Sequence, residues 1–363
     1  MENKKICLLT PSLQMGGIER AISTLANNFV SKGYDVHCVT LLPLEPFFIL
    51  DERIHLYVPK LPFSRNKMGF INYLKFYFYI FSPFGYLRKT VKTIAPDTIL
   101  DFCEGFPLVI MSLAGLKIPL YTSKRTSPNF QPPIHLRIFR FFAYSINRPN
   151  GVIVQTTAAL KNKQWFLGKN IRVIPNAARE ITFYDSTRQN WIVAVGRLHK
   201  EKGFDRLMQA FAKLDAPDWK LVIAGDGEHS EYFHHLANQL KIEDNIVFMG
   251  KVKNIDKLLY ESKIFALTSY REGFPNALCE AMVSGLPCVS FDIIAGPSDI
   301  IQDGINGFLV TNNDIEAFAE RLQFLINNPD VRNKIAIEAK KIKDQYSAEK
   351  IANEYLNFIL SLT

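Results

Sequence analysis

The chain has 363 residues, 48% of them hydrophobic and 21% charged, enough apolar material for two domains of ordinary size, each with its own core. No apolar run approaches the ~20 residues of a membrane span, and the apolar run before Pro11 is too short for a signal peptide, so a cytoplasmic protein is expected. The net charge of +8 is divided: residues 1–178 hold 22 Lys/Arg against 9 Asp/Glu, whereas 179–363 hold 21 against 26. Cys7, Cys38, Cys103, Cys279 and Cys288 form no Cys-x-x-Cys pair, which argues against structural zinc and predicts core thiols in a reducing compartment.

Lys5–Thr10 reads as a short apolar strand, followed by Pro11-Ser-Leu-Gln-Met-Gly16-Gly17 and a helical pattern over 18–32 that Gly33 stops. Gly16 and Gly17, between strand and helix, let backbone amides come close to a ligand, although a tight turn needs the same residues. They do not form the Gly-x-Gly-x-x-Gly fingerprint, so a nicotinamide enzyme is disfavoured. Residues 36–42 read as a second strand. From Arg53 to Pro96 there is no acid, and Arg65, Lys67, Lys75, Arg88, Lys89 and Lys92 punctuate nine aromatics between Phe70 and Tyr86. Either Phe70–Phe81 is a core-packing helix with solvated lysines, or the segment meets an anionic surface. Strands follow at 98–102, 120–123 and 151–155 with helical patterns between them, an alternation that predicts a parallel sheet wrapped by helices.

Residues 175–190 are polar and weakly periodic, and the charge changes sign there, so they are expected to be the interdomain linker. A second alternating series starts with Trp191–Val195. Strands are predicted at 219–224, 245–248, Ile264–Leu267, 287–290 and 308–310, and helices at 204–214, 231–240, Ile315–Asn327 and 331–346, with Ser347 capping a last helix. The resulting domains are 1–178, 179–345 and a C-terminal helix 346–363 that is expected to return to the first domain. Ligands of such sheets bind beyond the strand C-termini, so the loops there are the candidate sites.

Two of those loops stand out. Gly196-Arg197-Leu-His-Lys-Glu-Lys202-Gly203 offers a planar guanidinium fork and a mobile ammonium that can neutralise a diphosphate. Glu272-Gly-Phe-Pro-Asn-Ala-Leu-Cys-Glu280 places a bend at Gly273, Phe274 and Pro275 before a helix that opens at Pro275 or Asn276 and runs on through Ala277. Glu280 then lies roughly 6 Å along the axis from Asn276, so the two acids bracket the helix N-terminus. The amides there favour an anion, and the acids suit hydroxyls on either side of it. Ribose, diphosphate and hexose come in that order in a nucleotide-sugar. Gly225-Asp-Gly227 is expected to be structural.

With Gly16-Gly17-Ile-Glu-Arg20, Val173-Ile-Pro-Asn176, Val195-Gly-Arg197, Lys202-Gly203-Phe204, Ala224-Gly-Asp-Gly227, the Glu-x7-Glu of Glu272 and Glu280, and Asp303-Gly-Ile-Asn-Gly-Phe-Leu-Val310, the chain resembles family 4 of the retaining glycosyltransferases over nearly its whole length. Ser269-Tyr-Arg-Glu-Gly-Phe-Pro-Asn276 and Gly296-Pro-Ser-Asp-Ile300 are similar to enzymes of bacterial surface-polysaccharide and lipid-linked oligosaccharide assembly. The resemblance implies the GT-B fold, two Rossmann-like β/α/β domains facing a central cleft, and a UDP-sugar donor. It implies that Arg197 and Lys202 hold the departing diphosphate, Glu280 the ribose and Glu272 the transferred sugar, with amides from Gly273 to Ala277 supporting them. Gly16 and Gly17 would approach the diphosphate from the other domain.

No metal is expected, since there is no credible Asp-x-Asp site and cations with helix amides take its place. Many relatives carry a histidine in the first domain beyond the fourth strand; here that loop reads Leu100-Asp101-Phe-Cys-Glu104-Gly105 and has none. Asp101, Glu104 and Arg125 are the candidate acceptor residues, each with a cap, solvated or basic-loop role as the alternative.

Front-face retaining transfer is the expected mechanism, with a covalent intermediate through Glu272 the weaker choice. The expected acceptor is a lipid-diphosphate-linked glycan, with peripheral contact at the inner face of an anionic membrane. A soluble-acceptor transferase, a nucleotide-sugar hydrolase or epimerase, and a non-catalytic donor-binding subunit are the alternatives. Nucleic-acid binding is disfavoured because no motif for it is present.

Overall fold

The computed structural model describes residues 4–14, 16–60, 70–82, 84–128, 133–161 and 170–361, without the side chains of 70–73. The first series runs β1 (Lys5–Thr10), α1 (Gly17–Ser31), β2 (Asp35–Thr40), β3 (His55–Tyr57), α2 (Phe70–Phe81), α3 (Tyr86–Ile94), β4 (Thr98–Asp101), α4 (Pro107–Ser112), β5 (Leu120–Lys124), α5 (Ile134–Ile146), β6 (Gly151–Val154), α6 (Thr157–Lys161) and β7 (Ile171–Val173). The second runs β8 (Trp191–Val195), α7 (Phe204–Phe211), β9 (Lys220–Ala224), α8 (Ser230–Leu240), β10 (Ile246–Gly250), α9 (Ile255–Glu261), β11 (Ile264–Leu267), α10 (Asn276–Val283), β12 (Cys288–Asp292), α11 (Pro297–Ile300), β13 (Phe308–Thr311), α12 (Ile315–Asn327), α13 (Pro329–Lys340) and α14 (Ile342–Gln345), with α15 (Ala348–Ile359) last. Two units result, Met1–Ala177 joined by Ala348–Thr363, and Ala178–Ser347.

In the first unit the strands are parallel in the order β3-β2-β1-β4-β5-β6-β7. The side-chain period of two sorts β1 onto two cores. Ile6 and Leu8 pack with Phe29 of α1 and Tyr355 of α15, whereas Cys7 and Leu9 pack with Val91 of α3 and Val109 of α4. Helix α15 buries Ile351, Tyr355 and Phe358 here, with the Phe358 ring 5.3 Å from Tyr121. The short strands β3 and β7 lie at the sheet edges, where three residues leave too little periodicity for the sequence pattern to reveal them.

The second unit has the parallel order β10-β9-β8-β11-β12-β13. Order reverses between β8 and β11 here and between β1 and β4 in the first unit, so each pair of adjacent strands sends its following loops to opposite sides and leaves a crevice. The two loops singled out by sequence follow β8 and β11. The single helix expected over 331–346 is divided between α13 and α14.

The division between the two units, at Ala177 and Ala178, falls inside the expected linker, and the rest of that segment is strapped onto the second unit. Arg188 donates to the carbonyls of Ser262 (2.5 Å), Ser284 (3.0 Å) and Gly285 (3.2 Å), and the Phe183 ring stands edge-on to Tyr260. Its periodicity is weak because a strap held by backbone carbonyls needs no repeating apolar face.

Of the cation-aromatic segment, Arg65 and Lys67 lie outside the described residues. Helix α2 buries Phe76 and Ile80 but exposes Leu74, Lys75 and Phe78, and Phe84 beyond it is 92% exposed. Helix α5 exposes Ile134, Ile138, Phe141, Phe142 and Ile146 beside Arg137, and both helices pack on α4. Among the described residues no helix is long and apolar enough to cross a membrane.

Candidate functional site

The loop after β8 turns sharply at Gly196 and passes through a short 3-10 turn, Lys200–Lys202, into α7. Its neighbours are glycines for a reason of space. A Cβ on Gly225 would sit 1.8 Å from the Gly196 carbonyl oxygen, so only glycine lets the loop after β9 lie against this turn. The Lys202 side chain folds back over Gly196, whose added Cβ would be 3.3 Å from Lys202 Cδ.

The loop after β11 is joined to it. Tyr270 N–H donates to the Glu201 carbonyl at 2.8 Å, and the Thr268 hydroxyl to the Lys202 carbonyl at 3.4 Å. This brings Lys202 Nζ to 2.7 Å from Glu272 Oε1, which also accepts from the Ser269 hydroxyl at 2.6 Å. Glu272 Oε2 has no partner among the described residues. Arg197 is exposed, and its guanidinium makes no hydrogen bond or ion pair with a described residue. The turn thus presents one guanidinium to solvent beside an ammonium-carboxylate pair.

Residues Gly273 to Ala277 lead into α10. Phe274 and Pro275 are buried, Phe274 facing the Tyr346 ring at 5.9 Å, so their side chains anchor the bend while Gly273, Asn276 and Ala277 are half-buried. Glu280 is buried, with Oε2 3.3 Å from Arg179 Nε, and Arg179 also pairs with Asp256. One side of Glu280 therefore belongs to the strap, a neighbour that spacing within the motif could not reveal.

Arg206 of α7 is the organiser that sequence reasoning missed. It is 2% exposed, and its guanidinium donates to the carbonyls of Thr268 and Ser269 and to Asn312 (2.8 Å) and Asn313 (2.5 Å), between the rings of Tyr270 and Phe291. Burial draws its pKa below the ordinary arginine value. Tyr270 donates to Asp205 at 2.9 Å, and burial together with that acid pushes its phenol up to about 12. Arg206 lies four residues past Lys202 in a helix that reads as ordinary, and no local signal marks it.

In the first unit, the Glu19 carboxylate of α1 lies over Gly16, where an added Cβ would be 2.1 Å from Oε2; Gly17 opens the helix. Asp101 is fully buried at the end of β4, accepting from Cys103 N–H (2.8 Å), Gly105 N–H (3.1 Å) and the Thr122 hydroxyl (3.3 Å). Burial raises its pKa against those hydrogen bonds. It shapes the loop from inside and does not cap α4, whose N-cap residue is Phe106. Glu104, with φ of 58°, accepts from Arg125 N–H at 3.1 Å. Arg125 is 5% exposed and ties Asn176 (2.5 Å) to the Tyr355 hydroxyl (3.0 Å), so that it links the end of β5 to α15. A basic loop at a strand end reads the same whether its cations turn outward or find buried partners far along the chain.

Two parallel doubly wound units, the second with cations and an acid at its strand-order reversal, make an architecture of the two-domain α/β class. The model of the Glycosyltransferase Family 4 matches residues 15–179, and that of the Glycosyl transferases group 1 matches 181–342. An uncharacterized glycosyltransferase of Haemophilus influenzae is 32% identical over 94% of this chain and 95% of its own. A Campylobacter jejuni enzyme, GalNAc-alpha-(1->4)-GalNAc-alpha-(1->3)-diNAcBac-PP-undecaprenol alpha-1,4-N-acetyl-D-galactosaminyltransferase, is 26% identical over 98% of each chain. The crystal structure of Anabaena HepE in complex with UDP superposes with a TM-score of 0.77 at 18% identity, covering 99% of this chain and 100% of that one. The chain belongs to the group 1, family 4 glycosyltransferases and has the GT-B fold.

Proposed function

We propose that this glycosyltransferase moves a hexose or N-acetylhexosamine from a UDP-sugar to a polyprenyl-diphosphate-linked glycan of a bacterial surface polysaccharide, with retention and without a metal. The observation that carries the reading is Arg197, exposed and without a described partner, beside the Lys202–Glu272 pair. A guanidinium and an ammonium in one turn suit a diphosphate that is already charged on both phosphates and gains one further negative charge as the glycosidic bond breaks, and a preorganised donor set there lowers the barrier directly. Glu272 Oε2 would accept from a sugar hydroxyl while Oε1 keeps Lys202 in place. Glu280 would accept from the ribose, and the backbone from Gly273 to Ala277 would support sugar and phosphate. Gly16 and Gly17 keep their proposed part near the diphosphate.

In a front-face transfer the leaving phosphate oxygen takes the proton of the attacking hydroxyl, and the new bond forms on the face from which UDP departs. Because the hydroxyl adds on the face that UDP leaves, configuration is kept, and no side-chain nucleophile is required. The acceptor class is supported by the undecaprenol-linked substrate in the name of the Campylobacter relative and by the exposed apolar and basic faces of α2 and α5.

Screening UDP-sugars for thermal stabilisation and slow hydrolysis tests the donor, and product analysis with lipid-linked and soluble acceptors tests the rest. Stabilisation by one UDP-sugar, followed by an axial product linkage from an axial donor in excess chelator, is the expected result. Inverted product, or turnover that requires added Mg²⁺ or Mn²⁺, would overturn the mechanism. Transfer to soluble glycans by a protein that ignores anionic vesicles would remove the membrane part.

A further inference from the structure

On the first unit, at the end of the sheet opposite the site-bearing loops, Asp35, His37 and His55 converge. Asp35 and His37 are two apart on β2 and so share a face, and the parallel register sets His55 of β3 directly beside His37. Asp35 Oδ1 lies 3.2 Å from His37 Nε2 and 3.4 Å from His55 Nε2. Donor atoms around a tetrahedral ion with bonds of about 2.0–2.1 Å stand about 3.3 Å apart, so the carboxylate oxygen is already at ligand spacing from both imidazoles.

We propose that Asp35, His37 and His55 form a site for a divalent transition cation of the zinc class, which clips the three-residue edge strand β3 to β2. His37 Nε2 is buried and makes no hydrogen bond despite its closeness to Asp35, so its ring direction is aimed at neither oxygen. Its other nitrogen, Nδ1, meets the Tyr57 hydroxyl at 3.3 Å, the outer partner that fixes the ring of a ligating histidine. His55 is exposed and Asp35 half-buried, leaving an open approach for the ion and for water as a fourth ligand. Lys5, beside Asp35 in register, is a cation facing the cluster, and it is exposed enough to extend into solvent. Two imidazoles with one carboxylate select zinc, copper(II), nickel(II) or cobalt(II) over magnesium or calcium.

A second cluster, His199, Glu228 and His229, lies beside the Arg197 turn and serves as the internal control. Tag-free protein stripped with chelator would be titrated with Zn²⁺ by calorimetry, alongside His55→Ala and His229→Ala, with thermal melts of each. The expected result is one equivalent bound by the parent and by His229→Ala, an affinity at least about 10-fold weaker in His55→Ala, and a melting midpoint that Zn²⁺ raises only where His55 is present. No saturable binding, binding unchanged in His55→Ala, or binding lost in His229→Ala would each overturn the assignment. Because the readout is binding and stability, its failure leaves the proposed transfer reaction standing.

Discussion

Gly203→Ala is the sharpest test of how the donor loop is held. Gly203 has φ of 61° and ψ of 29°, a left-handed conformation that costs alanine about 1–2 kcal/mol. Its added Cβ would also lie 1.9 Å from the Thr268 carbonyl oxygen, a backbone atom that no rotamer change can move aside. The two loops must part by about 1 Å before that contact reaches 3.0 Å, and overpacking of this kind adds about 1–3 kcal/mol. The total, about 2–5 kcal/mol, is a large share of the 5–15 kcal/mol typical of a folded protein. The same opening pulls Lys202 from its 2.7 Å contact with Glu272, and a misplacement of about 1 Å in a catalytic group costs about 100-fold in rate. Gly304→Ala is the matched control, with φ of 73° and nothing within 4 Å of its added Cβ, so it carries the conformational cost alone. Urea unfolding and transfer rate would be measured for both. If Gly203→Ala matches Gly304→Ala in midpoint and turnover, the collision argument is refuted.

Arg197→Ala removes an exposed charge without a described partner, so the unfolding midpoint is expected to stay put while UDP binds roughly 10- to 150-fold more weakly, the loss of about 1.5–3 kcal/mol from one charge-assisted contact; an unchanged UDP titration would remove its phosphate role. Glu272→Gln keeps the shape and deletes the charge. The Lys202 pair is a quarter exposed on the lysine side, so stability should fall by less than about 1 kcal/mol while turnover falls by about 10- to 150-fold, and near-normal turnover would take Glu272 out of the site. Asp256 is pushed up by burial but pulled further down by Arg179 and Thr182, so its native pKa lies below the unfolded value. Its contribution is therefore present above the unfolded pKa near 4 and lost as pH falls through the native one; urea midpoints between about pH 3 and 6 should drop more steeply for the parent than for Asp256→Asn. Equal slopes would deny the Arg179–Asp256 pair a stabilising role.

Much of the molecule was legible in one dimension. The alternation of short apolar runs with amphipathic ones determined the two parallel sheets, because a strand buried on both faces must be apolar throughout and its crossover helix must carry one apolar stripe. The turns after β8 and β11 were legible too, since cations, glycines and a helix opening are local features written in consecutive residues. Which of those charges meet was not. Lys202 and Glu272 are 70 positions apart, and only strand order, with β8 beside β11, puts them at 2.7 Å. The same holds for the inward turn of Asp101 and Arg125, whose partners are supplied by Cys103, Gly105, Asn176 and Tyr355. Arg206, indistinguishable in sequence from a solvated helix arginine, is buried under four hydrogen-bonding neighbours, and the Asp35, His37 and His55 cluster exists only through the register of β2 against β3. A residue's type sets the cost of burying it, whereas the partners that offset this cost come from distant chain segments, and packing alone decides which segments those are.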